Sequence, residues 1–196
     1  RADATQALVN RMGFNNEGSE QISNNLAKHF AKYGAPKVPL WVNLGKSKIT
    51  PLEDAHEDYG ATMRALWEFT DVFVVNVSSP NTPNLRELQN DEGLMRILNS
   101  CHQVNQDLAA AGAEKPILVK VAPDLTDQQL EHVVKTARSN GAAGIVLSNT
   151  TLIRPEGKSA KEQSIFAETG GLSGRPLLNR STEMIRIVSK MTKGEW

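Results

Sequence analysis

Four short runs of this chain are continuously apolar, and helical stripes separate them. The runs fall at 38–44, 72–77, 117–121 and 144–147, and are rich in Val, Ile and Leu. Short apolar runs of this kind read as buried parallel strands. The stripes have helical spacing. Ile22, Leu26, Phe30 and Tyr33 predict a helix over 18–33, ended by Gly34 and Pro36. Tyr59, Met63, Leu66 and Trp67 predict a second over 53–69, and Leu94, Ile97, Leu98, Cys101, Val104 and Leu108 a third over 91–111, stopped by Gly112. Leu130, Val133, Val134 and Ala137 carry a fourth helix to Gly141, opened by a capping box at Thr126 and Gln129. Met184, Ile185, Val188 and Met191 point inward from a last helix over 177–191. Residues 1–17 and 152–175 read as loops. The pattern is a βα unit repeated four times, which fits an open doubly wound sheet or a piece of a (β/α)8 barrel.

Composition narrows the function. The 196 residues suffice for one domain with a sizeable core. Charge is balanced, 22 Lys+Arg against 22 Asp+Glu, with no basic-aromatic stripe, so a nucleic-acid partner is not expected. A single cysteine, Cys101, excludes an intrachain disulfide, and its apolar register makes it a packed thiol. The four histidines fall in predicted helices without metal-binding spacing, so no metal is expected. No run approaches the ~18 apolar residues of a membrane span.

Chemistry gathers at the strand ends, where ligands of both candidate architectures sit. The first strand ends at Asn43, the second at Asn76, the fourth at Ser148-Asn149-Thr150. Lys120 interrupts the third strand, a costly placement unless it meets an anion or polarised group. After Asn76 come Ser78, Ser79, Asn81 and Thr82, stiffened by Pro80 and Pro83. Such a rigid polar loop suits a small polar ligand, or else a turn that only satisfies its own backbone. The cationic and amide groups suit a planar anion or a flavin ring, and Gly45, Gly170, Gly171 and Gly174 permit close backbone approach. Neither a GxGxxG after a strand nor a P-loop is present.

Six segments, in order, resemble one family. They are Asn10-Arg11-Met12-Gly13-Phe14-Asn15, Val42-Asn43-Leu44-Gly45-Lys46, Asn76-Val77-Ser78-Ser79-Pro80-Asn81-Thr82, Val119-Lys120-Val121-Ala122-Pro123-Asp124-Leu125, Asn149-Thr150-Thr151 and Gly170-Gly171-Leu172-Ser173-Gly174-Arg175-Pro176-Leu177. Together they closely resemble the class 2, quinone-linked dihydroorotate dehydrogenases across nearly the whole chain. The resemblance implies a (β/α)8 TIM barrel that binds FMN, oxidises (S)-dihydroorotate to orotate in pyrimidine biosynthesis and passes two electrons to a quinone. It makes Ser79 the catalytic base for the C5 proton, while hydride leaves C6 for flavin N5. Class 1 relatives place a cysteine in that role, and Cys101 lies outside the matching loop. The substrate is expected to meet Asn10, Arg11, Met12, Gly13, Phe14, Asn76, Asn81, Asn149 and Thr150, with Phe14 near the proton's route. FMN is expected to meet Asn43, Asn76, Lys120, Ser148 and Gly174. Two positions depart from the family's pattern: Asn84 stands where glycine is usual, and Ser148 where threonine is common.

The resemblance also implies a fragment. A full barrel has about eight βα units, and only four are counted in 1–196. Two strands with another lysine are expected before residue 1, and two strands with the loops for the FMN phosphate after Trp196. An N-terminal helical pair facing quinone and the membrane surface is likewise expected outside the chain. The expected location is peripheral on a membrane, the bacterial inner membrane favoured over the mitochondrial one. The isolated 196 residues are expected to hold FMN poorly and to be inactive. Two other readings stand beside this one: a different FMN-dependent barrel oxidoreductase, and a non-catalytic half-barrel binding module.

Overall fold

The computed structural model describes residues 1–81, 85–109 and 112–196. Thr82, Pro83, Asn84, Ala110 and Ala111 fall outside the described residues, and with them the asparagine-for-glycine departure at 84. In chain order the elements are β1 (Ala7–Asn10), α1 (Ser19–Tyr33), β2 (Trp41–Leu44), α2 (Ala55–Leu66), β3 (Val72–Asn76), α3 (Asp91–Leu108), β4 (Ile117–Val121), α4 (Asp127–Ser139), β5 (Gly144–Leu147), α5 (Ala160–Ala167), β6 (Gly171–Gly174) and α6 (Leu178–Met191).

Strands β2, β3, β4 and β5 form one parallel sheet in sequence order, each joined to the next by a helix. Side chains of a strand alternate between faces, so register decides what each face carries. Leu44 lies opposite Val75, Val75 opposite Val119, and Phe73 opposite Ile117. That face is buried against the helices, with Tyr59, Met63, Leu94, Ile97, Leu98, Leu130, Val134 and Met184 in one continuous core. Burying each large apolar side chain contributes about 1.5–3 kcal/mol, so this layer dominates the fold's stability. Helices α1, α2, α3, α4 and α6 pack side by side over it, each touching the next. A partial α/β barrel results, one of the two architectures the repeated βα pattern allows and the one the resemblance implies.

Two stretches read as loops contain structure. Ala7–Asn10 and Gly171–Gly174 pair as an antiparallel ribbon, Ala7 opposite Gly174 and Asn10 opposite Gly171. Neither segment has a stripe of its own, since each strand exists only through a partner more than 150 residues away. Helix α5 is short, and long-range bonds hold it. Buried Glu162 accepts from the Thr5 amide (3.0 Å), the Thr5 hydroxyl (3.1 Å) and the Lys158 amide (3.0 Å). Arg154 gathers the same region by donating to the carbonyls of Thr151, Leu152, Phe166, Glu168 and Gly170.

Smaller corrections follow from packing. The first sheet strand begins at Trp41 rather than at residue 38, and Val38 is exposed. No residue of α1 is fully buried, and Tyr33 points to solvent. Ile185 is 52% exposed although the stripe assigned it inward, because the core-facing side of α6 carries buried Met184 and Val188 with Ile187 and Met191 packed beside them. Cys101 is fully buried, and burial pushes its thiol pKa up to about 12, as expected of a packed thiol.

The capping box opens α4 as anticipated. The Thr126 hydroxyl accepts from the Gln129 amide (3.2 Å), and Gln129 accepts from the Thr126 amide (2.9 Å). Thr126→Ala removes one half of it. It is expected to destabilise the fold by about 1 kcal/mol and lower the melting temperature by roughly 2–4 °C, followed by circular dichroism. An unchanged melt would assign the start of α4 to tertiary packing alone.

Candidate active site

The sheet's second face is built differently from the helix face. By register it carries Asn43, Val74 and Leu118 in one row and Asn76, Lys120 and Val146 in the next. The parallel pairing therefore puts Asn43, Asn76 and Lys120 on one side, toward the C-terminal ends of their strands. Asn43 is exposed on edge strand β2, Asn76 is 1% exposed, and Lys120 is half-buried.

Asn76 is the pivot. Its backbone carbonyl accepts from the Tyr59 hydroxyl at 2.7 Å, fastening the strand end to α2. Burial pushes the Tyr59 pKa up, which keeps the phenol a proton donor. The side-chain Oδ1 accepts from the Ser78 amide (3.1 Å) and the Ser78 hydroxyl (2.7 Å). Ser78 Oγ in turn accepts from Asn149 Nδ2 at 3.0 Å, and Asn149 Oδ1 accepts from the Thr150 amide at 2.8 Å. One chain of bonds thus joins the ends of β3 and β5. Asn76 Nδ2 is left over. It is buried, and it alone has no partner among the buried side-chain nitrogens and oxygens of the described residues. Leaving a buried donor unpaired costs about 1–3 kcal/mol, so the position calls for an acceptor from a ligand.

Lys120 makes the same demand. Among the described residues its ammonium meets neither a carboxylate nor any hydrogen-bond acceptor. Burial holds its pKa below the ordinary lysine value. Its location opposite Asn76 suits an anionic or electron-rich ligand. A planar, electron-rich ring with hydrogen-bond acceptors would meet both demands, with Asn76 and Lys120 as the groups that would hold it.

Ser79 lies directly after this network and is 5% exposed. Its Oγ accepts from the Asn81 amide at 3.2 Å, and Asn81 Nδ2 donates to the Asn10 carbonyl at 3.4 Å. The β1–β6 ribbon thereby leans on the Ser79 loop. Gly170 has φ +123°, and a Cβ there would strike the Asn10 carbonyl. One on Gly171 would strike Thr150 and crowd Pro80. Both positions require glycine for this close approach. The Phe14 ring packs beside Gly45, which connects residues 11–14 to the end of β2.

The structure therefore brings together Asn10, Asn76, Ser79, Asn81, Asn149 and Thr150. Lys120 shares their sheet face. Gly13 approaches the Asn81 carbonyl. Other expected residues make different contacts. Arg11 pairs with Glu168 at 2.5 Å on the surface, and Met12 is 66% exposed. Ser148 turns its hydroxyl to the Asn149 carbonyl at 3.0 Å. Gly174 sits at the far end of the ribbon, with Gln6 and Ala7 rather than Asn76 or Lys120 as neighbours.

Two residues without a sequence-assigned role anchor the cluster from behind. Arg86 and Asp124 form a partly buried ion pair at 2.6 Å between the β3 and β4 loops. Asp124 lies within the fourth of the six family-like segments, and Arg86 shortly after the third. Opposite charges 38 residues apart give no sign of pairing until the strands are adjacent. A surface cavity of about 910 Å³, lined by Arg86, Asp91, Gln129 and His132 among others, lies between the start of α3 and α4. It is separate from the polar cluster.

Comparison with known proteins identifies the family. The family model described as Dihydroorotate dehydrogenase matches residues 1–195. The chain is 42% identical over 194 residues to a protein of Chloroflexus aurantiacus named dihydroorotate dehydrogenase (quinone), covering 98% of this chain and 52% of that protein. A protein of the same name from Deinococcus radiodurans is 43% identical over 196 residues, covering 100% of this chain and 51% of its own length. The chain thus spans about half the length of the curated relatives it matches. A crystal structure of DHODH from Eimeria tenella in complex with ferulenol superposes with a TM-score of 0.87 at 33% identity, covering 100% of this chain and 55% of that one.

Lys120 sets a measurable trade-off. With a pKa below 10.5 in the fold, its charged form disfavours folding at neutral pH, and this penalty lifts as pH rises through the folded pKa toward 10.5. Lys120→Met is expected to melt higher than the parent chain near pH 7, with the gap narrowing toward pH 10.5. Differential scanning calorimetry across that range checks it; a gap independent of pH assigns the gain to apolar packing instead.

Proposed function

The chain belongs to the dihydroorotate dehydrogenase family, and from that premise we propose that the protein containing it oxidises (S)-dihydroorotate to orotate, using FMN and a quinone acceptor. The observation that carries this reading is the buried, unpaired Asn76 amide beside the sheltered Ser79 hydroxyl, on the sheet face that also bears Lys120. Quinone use is taken from the names of the relatives, and implies work at a membrane surface. No helix among the described residues is long and apolar enough to cross a membrane. A bacterial inner membrane is the proposed location.

The reaction removes a proton from C5 and a hydride from C6, leaving a C5=C6 double bond. FMN would supply the acceptor for the hydride. Ser79 Oγ takes the C5 proton as its own hydroxyl proton passes on to solvent, by the route expected beside Phe14. A serine is a weak base, so its oxygen must be helped. The Asn81 amide already points at Oγ at 3.2 Å and favours negative charge there. Asn10, Asn76, Asn81, Asn149 and Thr150 would hold the substrate by its amide and carboxylate edges. Their mutual hydrogen bonds order the end of β3 and the end of β5 before substrate arrives, which lowers the entropy of reaching a reactive pose. Lys120 and Asn76 would meet the flavin, where the Lys120 ammonium would favour negative charge on the ring. Asn43, Ser148 and Gly174 are proposed as further FMN contacts, and Arg11, Met12, Gly13 and Phe14 as contacts at the substrate's entry side. FMN binding by the 196 residues alone is expected to be weak, because a four-stranded sheet gives the polar face only one wall.

Ser79→Ala tests the central step in a family-length protein carrying this chain. Bound flavin, read from its visible absorption, should remain. Anaerobic flavin reduction by dihydroorotate should slow by about 10²–10⁴-fold, the usual contribution of a positioned acid or base. A wild-type rate in the variant removes Ser79 from the chemistry. Turnover of another acid in place of dihydroorotate would move the protein to a different flavin oxidoreductase class.

A further inference from the structure

Arg86 touches three strand-end loops at once. It projects from the 3-10 turn Leu85–Gln89, with its side chain mostly buried. Its Nε donates to the Ser78 carbonyl at 3.2 Å, Nη1 to Asp124 Oδ2 at 2.6 Å, and Nη2 to the Thr150 carbonyl at 3.2 Å. Asp124 completes the bracket, since its oxygens also accept from the Thr151 hydroxyl and from the Leu152 amide (3.2 Å). The loops after β3, β4 and β5 are therefore held by one ion pair. The Ser78 carbonyl belongs to the peptide bond that leads into Ser79, and the Thr150 carbonyl follows Asn149, whose side chain holds Ser78.

We propose that Arg86 and Asp124 are a positioning pair, which fixes the Ser79 loop against the Asn149–Thr150 segment without touching substrate or cofactor. The rate part of this inference rests on the reading of Ser79 as the base; the tethering part does not. The chemistry favours arginine specifically. A planar guanidinium offers donors in fixed, divergent directions, so one group can hold two carbonyls and a carboxylate in a set geometry. A lysine ammonium at the end of a flexible stem keeps the charge but not the directions. Misplacing a reacting group by about 1 Å can slow a reaction about 10²-fold, so a device outside the reacting shell can control the rate. The competing role is purely structural: a partly buried ion pair that only maintains the fold, whose loss lowers stability without altering the geometry at Ser79.

Arg86→Lys, Arg86→Ala, Asp124→Asn and the double variant R86A/D124N separate the two. Hydrogen exchange by mass spectrometry on the family-length protein carrying this chain reads the tether directly. In R86K, the amides of Ser78, Ser79 and Asn81 and of residues 150–152 should exchange about tenfold faster, while those of α3 keep their protection. In the flavin-loaded, family-length protein, the reduction rate per bound FMN should fall about 10–100-fold. The isotope effect from 5-deuterated dihydroorotate should rise as proton removal becomes limiting. The double variant should be little worse than either single, as expected of partners in one interaction. Unchanged exchange in both segments of R86K overturns the tether. A wild-type rate per bound flavin, with only the melting temperature and flavin content reduced, overturns the positioning role in favour of the structural one. If Ser79→Ala reduces flavin normally in the same protein, the base reading fails separately, and the exchange measurement alone decides whether Arg86 holds the loops.

Discussion

The register of the parallel sheet is the constraint on which the rest depends. Asn76 pairs with Lys120, and Val75 with Val119, so polar and apolar residues part onto opposite faces at the same strand ends. A slip of one residue in β3 would send Asn76 into the helix layer and bring Val75 out. The slip is prevented by the apolar face itself. Phe73, Val75, Ile117 and Val119 each fill space against α2, α3 and α4, and none could be exchanged for an amide without a large loss of burial. The core therefore holds the register, and the register aligns the site.

That arrangement explains why costly features can persist on the other face. A buried amide without a partner and an ammonium without a counter-ion both weaken the unliganded fold. They survive because the helix layer opposite supplies the stability, and because Tyr59 fastens the strand end from that side. Local rules of polar satisfaction fail here and almost nowhere else among the described residues. Such a failure is what a ligand site looks like before its ligand is bound.

The loops above the sheet are ordered by a second set of contacts, polar rather than apolar. Arg86 and Arg154 together donate to seven backbone carbonyls across the β3, β5 and 152–170 segments. Backbone carbonyls in loops have no ladder to satisfy them, and a fixed arginine fork takes that role. The ribbon of β1 and β6 then closes over the Ser79 loop, where glycines at 170 and 171 allow it to come near enough for Asn81 to reach the Asn10 carbonyl.

The sequence by itself determined the four parallel strands, the five long helices and the amino acids at each strand end, because hydrophobic period and capping chemistry are local properties. Asn43, Asn76, Lys120 and Asn149 were legible as strand-end polar groups for the same reason, and the order of six short segments carried the family. Tertiary structure alone decided the ribbon of β1 and β6, the short helix α5, the outward turn of Ile185, and the meeting of Arg86 with Asp124. Each of these depends on partners far apart in the chain, and no periodicity records which distant segments will be neighbours. Tertiary structure also decided which expected residues converge. Arg11 and Gly174 look much like Asn10 and Gly171 as letters in a motif, but the ribbon places only the latter pair against the Ser79 loop.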